Sequence, residues 1–426
     1  MSPNKGLSIS MAAVMSVGIV ASVSYTSEAA TSDKIIGDGR HETAVKISQR
    51  GWKSAENAII VNDSAIADAL AATPFAKNIN APILLTGKNS LNYKTMEEIK
   101  RIGARNIYLI GGEAVLSKNI EENLSLEGYN VERIKGNTRE ETAIKIAEKL
   151  SSKVDIKEIA VVNGVTGLAD AVSVSAAAAQ NNMAIILSNK KSGINASKEF
   201  IKKEAIKKSY IIGGTTAVSE AIKKSLPNPE RISGKNRNIT NVRVIEKFYK
   251  DKDINNIYIA KDGSKDSSQL VDALAVGVLA AKEKSPVLIV SRDLEKEQDN
   301  LVKNKKFKYV IQVGGSGNED ATIAVELRQG MKVGLPDYLC RRWYDLTNGG
   351  YLEITKDTYN RCKYDVVKVY KGRYVIDVYE EDGFKMRYMI YTTNQNRDAI
   401  MHYMYNEVTD SYTGGTDLYS EDYLEI

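Results

Sequence analysis

The chain has 426 residues, 43% of them hydrophobic, with 59 Lys+Arg against 54 Asp+Glu for a formal charge of +5. That length accommodates several domains with their own cores, and two cysteines exclude a scaffold held together by disulfides. The small net charge conceals an asymmetry: residues 1–330 carry 47 Lys+Arg against 38 Asp+Glu and residues 331–426 carry 12 against 16, so the first region is the part suited to a polyanion.

The first element in chain order is an export signal, assigned to residues 1–30. Lys5 supplies the positive start, Leu7 to Val23 form an apolar run, and Ser27-Glu28-Ala29 offers small residues where a signal peptidase reads. The rival is a retained membrane anchor, but the run is short for a span and diluted by Ser, Gly and Ala. No later stretch approaches transmembrane length.

One pattern is then written three times. Ala67-Asp68-Ala69-Leu70-Ala71 returns as Ala169-Asp170-Ala171-Val172 and as Val271-Asp272-Ala273-Leu274-Ala275. Pro82-Ile83-Leu84-Leu85 returns as Ala184-Ile185-Ile186-Leu187 and Pro286-Val287-Leu288-Ile289, and each copy ends on a glycine pair: Gly111-Gly112, Gly213-Gly214, Gly314-Gly315. The aspartates are spaced 102 and 102 residues apart, beyond the roughly 20–50 residues of a solenoid repeat. Each copy is therefore a small domain, assigned to residues 31–133, 134–231 and 232–320, the third cut short at its end.

Within a copy, Ala58–Val61, Pro82–Leu85 and Ile107–Ile110 are short apolar, β-branched runs without polar alternation, the signature of parallel strands covered on both faces. Helical stretches lie between them at Glu42–Gln49, Ile66–Lys77 and Lys94–Ile102. The alternation predicts α/β modules, each an open parallel sheet of the doubly wound type.

Three groups recur as candidate binding residues. Asp68, Asp170 and Asp272 fall at the carboxyl edge of the strands, where open α/β sheets bind ligands; the alternative is a carboxylate complementing the helix dipole. The glycine pairs permit a tight turn that exposes backbone N–H groups to an anion, or serve only as a strand-to-helix turn. Arg40, Arg139 and Arg237 stand in turns of the form Gly-x-x-Arg, and each can grip phosphate or carboxylate with its fork or pair with a carboxylate of the neighbouring module. His41 has no counterpart in the other copies.

Beyond Met331 the material changes: 15 of the 23 tyrosines and both cysteines lie there. Val366–Tyr370, Arg373–Tyr379 and Lys385–Tyr391, with turn signals at Lys371-Gly372 and Asp382-Gly383, predict an antiparallel meander, followed by a helix around Arg397 to Tyr405. The segment 331–426 reads as a Tyr-rich, β-rich domain, compatible with fusion of a segment of other origin. Tyrosine on a sheet face serves sugar or protein contact, or simply builds a small core. No catalytic set is visible: His402 and Cys340 lack partners at recognisable spacing.

The repeated motifs, from Ile35 to Gly317, resemble the type 2 cell-wall-binding repeat of Gram-positive surface-layer and cell-wall proteins. The likeness rests on Gly-x-x-Arg-x-x-Thr-Ala, Asp-Ala-Leu-Ala, Pro-Ile-Leu-Leu and Gly-Gly-x-x-Ala-Val-Ser in fixed order. It implies three modules in a pseudo-threefold arrangement that tether a surface protein non-covalently to an anionic secondary wall polysaccharide, beside a variable domain. S-layer proteins are further candidate partners. The family's Ile-Leu-Leu signature falls on Ile83, Leu84 and Leu85, which on physical grounds are core residues. Copy three lacks Thr-Ala after Arg237 and Ala-Val-Ser after Gly315. The expected function is thus non-covalent anchoring of an exported protein to the cell wall, displaying its C-terminal domain, without catalysis or cofactor. Nucleic acid and, after leader removal, membrane are not expected partners. A wall-associated hydrolase and a lattice subunit are the alternatives; the missing Gly-x-Gly-x-x-Gly and P-loop motifs weigh against a nucleotide enzyme.

Overall fold

The computed structural model describes residues 30–345, 349–381, 383–393, 399–406 and 411–420; the expected export segment lies outside them except for Ala30. The first repeat runs β1 (Thr31–Ile35), α1 (Arg40–Gly51), β2 (Asn57–Asn62), α2 (Ala72–Asn78), β3 (Ile83–Thr86), α3 (Tyr93–Ile102), β4 (Asn106–Ile110), α4 (Lys118–Leu126) and β5 (Asn130–Ile134). The second follows with α5 (Arg139–Ser151), β6 (Glu158–Asn163), α6 (Leu168–Gln180), β7 (Ala184–Ser188), α7 (Lys198–Lys203), β8 (Lys208–Ile212), α8 (Glu220–Lys224) and β9 (Pro229–Ile232). The third has α9 (Arg237–Phe248), β10 (Asp253–Lys261), α10 (Val271–Lys282), β11 (Val287–Val290), α11 (Lys296–Lys303), β12 (Lys306–Val313) and α12 (Glu319–Arg328).

Each module is a four-stranded parallel sheet flanked by helices. The strand orders are β3-β2-β4-β5, β7-β6-β8-β9 and β11-β10-β12-β1. The apolar runs become strands because both faces are covered: Ile59, Ile60, Val61, Leu84 and Leu85 are buried, as are Val161, Ile186, Leu288 and Ile289.

The third order holds the main departure from a linear chain of domains. Its fourth strand is β1, paired in parallel with β12 from Thr31↔Tyr309 to Ile35↔Val313. Gly314 N donates to Ile35 O at 3.0 Å, just as Gly111 N donates to Ile134 O and Gly213 N to Ile232 O at 2.9 Å. The third repeat is therefore not truncated. Its last helix continues to Arg328, and its missing strand arrives from the other end of the repeat region. Strand β5 leads into α5 of module two, β9 into α9 of module three, and β1 into α1 of module one, so the three modules close into a ring.

Helices α2, α6 and α10, one per module, pack against one another at the centre. Thr73, Ser175 and Gly277, each 102 residues from the next, meet there. A Cβ on Gly277 would stand 2.8 Å from Ser175 Oγ and 3.3 Å from Thr73 Cγ2. Small side chains let these helices approach closely, which is what the alanine-rich segments do. One helix differs from expectation. Instead of running from Ile66 to Lys77, the first copy has a 3-10 turn at Ile66–Asp68 and restarts at Ala72. Pro74 has no N–H to donate to Leu70 and its ring would clash with that carbonyl, so the helix restarts with Pro74 in its first turn. Copies two and three carry Ala176 and Val278 in its place and keep α6 and α10 continuous.

The C-terminal region is an antiparallel meander of β13 (Arg342–Asp345), β14 (Tyr351–Glu353), β15 (Thr358–Tyr359), β16 (Cys362–Tyr370), β17 (Arg373–Tyr379), β18 (Lys385–Thr392), β19 (Ala399–Asn406) and β20 (Ser411–Ser420). First and last strands pair, β13 with β20, and the bridge Ile354↔Tyr359 joins the β14 end to β15. These contacts close the sheet into a small barrel filled by Trp343, Tyr374, Ile376, Ile390, Ile400 and Leu418. From Ala399 onward the expected helix near Arg397–Tyr405 is strand β19, paired on both sides, with Ala399 and Ile400 buried; Arg397 lies outside the described residues. Cys340 and Cys362 are not joined.

Candidate functional site

The strand order β3-β2-β4-β5 reverses direction between β2 and β4, so the crevice beyond those two carboxyl ends is where such sheets receive ligands. Asp68 lies there, against the glycine turn that follows β4. Gly111 has φ 105° and Gly213 107°, with Gly314 at 79°, values that favour glycine. A Cβ at Gly111 would stand 3.0 Å from Asp68 Oδ2 and one at Gly213 2.5 Å from Asp170 Oδ2, with Asp272 closer still to Gly314. The glycines thus make room for the carboxylates as well as for the turn.

The arginines come from the next module. Arg139 opens α5 and is the attractive charge acting on Asp68; Arg237 acts likewise on Asp170, and Arg40, together with Lys261, on Asp272. Each guanidinium is held by the carbonyl just past its own central strand: Arg40 Nη1 donates to Asp63 O at 2.7 Å, Arg139 Nη1 to Gly164 O at 2.7 Å and Arg237 Nη1 to Asp262 O at 3.0 Å. Arg40 also reaches Ser268 Oγ of module three at 3.3 Å. The twelve residues Arg40, Arg139, Arg237, Asp68, Asp170, Asp272, Gly111, Gly112, Gly213, Gly214, Gly314 and Gly315 therefore gather at three junctions, each between two modules. Ile83, Leu84 and Leu85 do not join them: they form β3 and are fully buried.

Burial dominates the electrostatics. It lifts the Asp68 carboxyl above its ordinary value, opposed by Arg139 and assisted by Glu140. Asp170 is pushed up to about 6 by burial, with Arg237 opposing. Asp272 is raised by burial against Lys261 and Arg40; its Oδ1 is buried without a hydrogen-bond partner, and Lys261 Nζ lies 3.9 Å from Oδ2. Chemically, a guanidinium has further N–H groups with which to meet phosphate or carboxylate once one nitrogen is held, and an ionised aspartate is only an acceptor.

The turn motif has its own physics. Thr43, Thr142 and Thr240 Oγ1 accept from Gly37, Gly136 and Gly234 N at 3.1, 3.0 and 3.0 Å, and this clamp sets the start of each arginine-bearing helix. Two residues escaped sequence reasoning. Arg133 donates to Gly111 O at 3.0 Å and Arg231 to Gly213 O at 2.8 Å, holding the glycine turns from beneath. Lys34, on β1, takes the equivalent position in module three, so only alignment of the copies across the ring reveals the set. Asn62 and Asn163 brace the same turns through Val115 O and Ala217 O, both at 2.8 Å; copy three has Lys261 there. His41 Nε2 lies 2.9 Å from Asp63 Oδ2, a pairing that only copy one can make.

The family model described as cell wall binding domain 2 (CWB2) matches residues 34–121, 133–223 and 231–323. The chain belongs to the CWB2 family. Each matched CWB2 span begins at the end of a fourth strand and stops in the module's last helix, so every sequence repeat opens with the strand that completes another module's sheet. Among solved structures, Cwp6 from Clostridium difficile is similar with a TM-score of 0.66 and 28% identity, covering 76% of this chain and 55% of that one. Cwp8 from the same organism gives 0.65 and 34%, covering 71% and 52%. The N-acetylmuramoyl-L-alanine amidase LytC of Bacillus subtilis (strain 168) is 29% identical over 296 residues, 69% of this chain and 58% of its own length. The amidase enhancer of the same organism is 30% identical over 292 residues, 67% of this chain and 38% of its own. The CWB2 chain thus spans only part of these relatives.

Proposed function

We propose that the protein is exported and held non-covalently to the cell wall by its three CWB2 repeats, whose inter-module junctions bind an anionic wall polysaccharide, and that the barrel is the part it displays. The observation that carries this reading is the threefold repetition of one junction, each with a guanidinium from one module and a carboxylate and glycine turn from its neighbour. Three equivalent weak sites suit a polymer with a repeating charge, because binding at one raises the effective concentration at the others. Phosphate or uronate groups would meet the arginines, and S-layer proteins are candidate neighbours at the surface. The protein acts as a tether, not as an enzyme; likeness to an amidase of which it covers 58% carries no activity across. The test is co-sedimentation of the chain lacking residues 1–29 with walls stripped of protein. Binding should weaken as salt rises and vanish once the anionic polymer is extracted; binding that survives extraction overturns the reading.

A further inference from the structure

A different recess lies where the third module faces the barrel. Its volume is about 640 Å³, and α11 and α12 form one side while the end of β16 forms the other. That size falls within the range of small-ligand sites, about 300–1,000 Å³. Leu294, Leu327 and Val369 make an apolar floor, and Tyr370 stands on the rim with 57% of its surface exposed.

The charges of this recess are unequal in their commitments. Asp293 Oδ1 accepts from Gly372 N at 2.9 Å, and Glu295 accepts from Asn236 at 2.6 Å with Lys235 nearby. Asp299 is taken by Arg328 at 2.6 Å and by Lys303 at 2.5 Å. The acids are thus already partnered. Lys296 and Lys368, both exposed on the lining, have no acidic partner within ion-pair distance among the described residues. Lys371 Nζ sits 5.1 Å from the Tyr370 ring centroid, and Tyr370 is still more than half exposed. An apolar floor, an aromatic face and two uncommitted ammonium groups are what a sugar ring carrying negative charge requires.

The recess is also held in shape. Asp320, only 1% exposed, accepts from Arg292 Nε at 2.6 Å, from Tyr338 Oη at 2.8 Å and from Tyr374 Oη, so module three and barrel share one buried carboxylate. A preformed cleft loses less entropy on binding than one that must assemble.

We propose that this cleft binds an anionic oligosaccharide, with a pyranose ring stacked on Tyr370 and its uronate or phosphate groups paired with Lys296 and Lys368. The site is independent of the junctions between the repeats and would give the barrel a part in recognition. Calorimetric titration of the chain lacking residues 1–29 tests it, with tetragalacturonate and glucose 6-phosphate as separate anionic probes and maltotetraose as the neutral control. At least one anionic probe should bind, the neutral one about tenfold more weakly, and the probe that binds names the anion's chemistry. Tyr370→Ala and the double variant Lys296→Ala/Lys368→Ala should each weaken that binding about tenfold, while Tyr370→Phe keeps it. All three variants should keep the parent melting temperature, since the altered side chains are exposed. Absence of binding by both anionic probes overturns the site, as does unchanged affinity in Tyr370→Ala together with loss in Arg139→Gln. Wall sedimentation of the same variants should match the parent; that assay reports on the tether, so either conclusion can fail without the other.

Discussion

Modules one and two finish their sheets with strands that follow directly in the chain, β5 and β9, whereas module three borrows β1 from the opposite end of the repeat region. All three use the same hydrogen bond from a glycine-turn N–H to the last isoleucine of the fourth strand. The difference is therefore one of connectivity, not of geometry. It teaches that the structural unit is the closed ring. A single repeat lacks a complete sheet, and a single module lacks the arginine for its own carboxylate.

The largest effect that would break this comparison is removal of β1. A chain starting at Gly37 leaves β12 as an open edge and strands Gly314 N without its acceptor. The expected loss is comparable to a domain's whole stability, about 5 kcal/mol or more, read by hydrogen exchange as lost protection in residues 306–313; retained protection would show that module three stands alone. Next is Gly277→Leu, which drives a side chain into Ser175 and Thr73 where the three central helices meet. Overpacking there should cost about 3 kcal/mol and lower the melting temperature of all three modules together; a drop confined to one module would argue against a shared centre.

Asp170 sharpens the comparison through pH. Burial raises its carboxyl to about 6 from 3.8, so the native state binds the proton more tightly than the unfolded chain. The group costs nothing below about pH 4, and its cost grows as pH rises and is full above about pH 6. Asp170→Asn should therefore stabilise the ring at pH 7 by about 2 kcal/mol, under a ceiling of about 3 set by the shift, and flatten stability between pH 4 and 6. Denaturant melts across that range check both the sign and the slope. The smallest effect is expected from Tyr374→Phe, which removes one of three donors to Asp320 and should loosen the barrel's docking by about 1 kcal/mol without altering the ring's melting.

Much of the ring was legible in the sequence. Strands such as Ile83–Leu85 announce themselves by unbroken apolar runs, and the aspartates, arginines and glycine pairs by their spacing. Their assembly across modules was not legible, because nothing local in Arg139 says that its field falls on Asp68. The completion of module three was hidden for a similar reason: its fourth strand lies at the far end of the repeats. Pro74 is the one signal of the broken helix inside an otherwise alanine-rich, helix-favouring stretch. In the barrel, the stretch Ala399-Ile400-Met401-His402 has helix-forming alanine and methionine, and only pairing with β18 and β20 makes it a strand.

The central claim is that the wall polymer is held at the junctions between modules. It is tested most directly by titrating oligomers of the extracted wall polysaccharide into the parent chain and into Arg139→Gln, with melting temperatures recorded alongside. Loss of the guanidinium facing Asp68 should weaken binding about tenfold and make it less sensitive to salt, with folding unchanged. Equal affinity and equal salt dependence in the two proteins would contradict it.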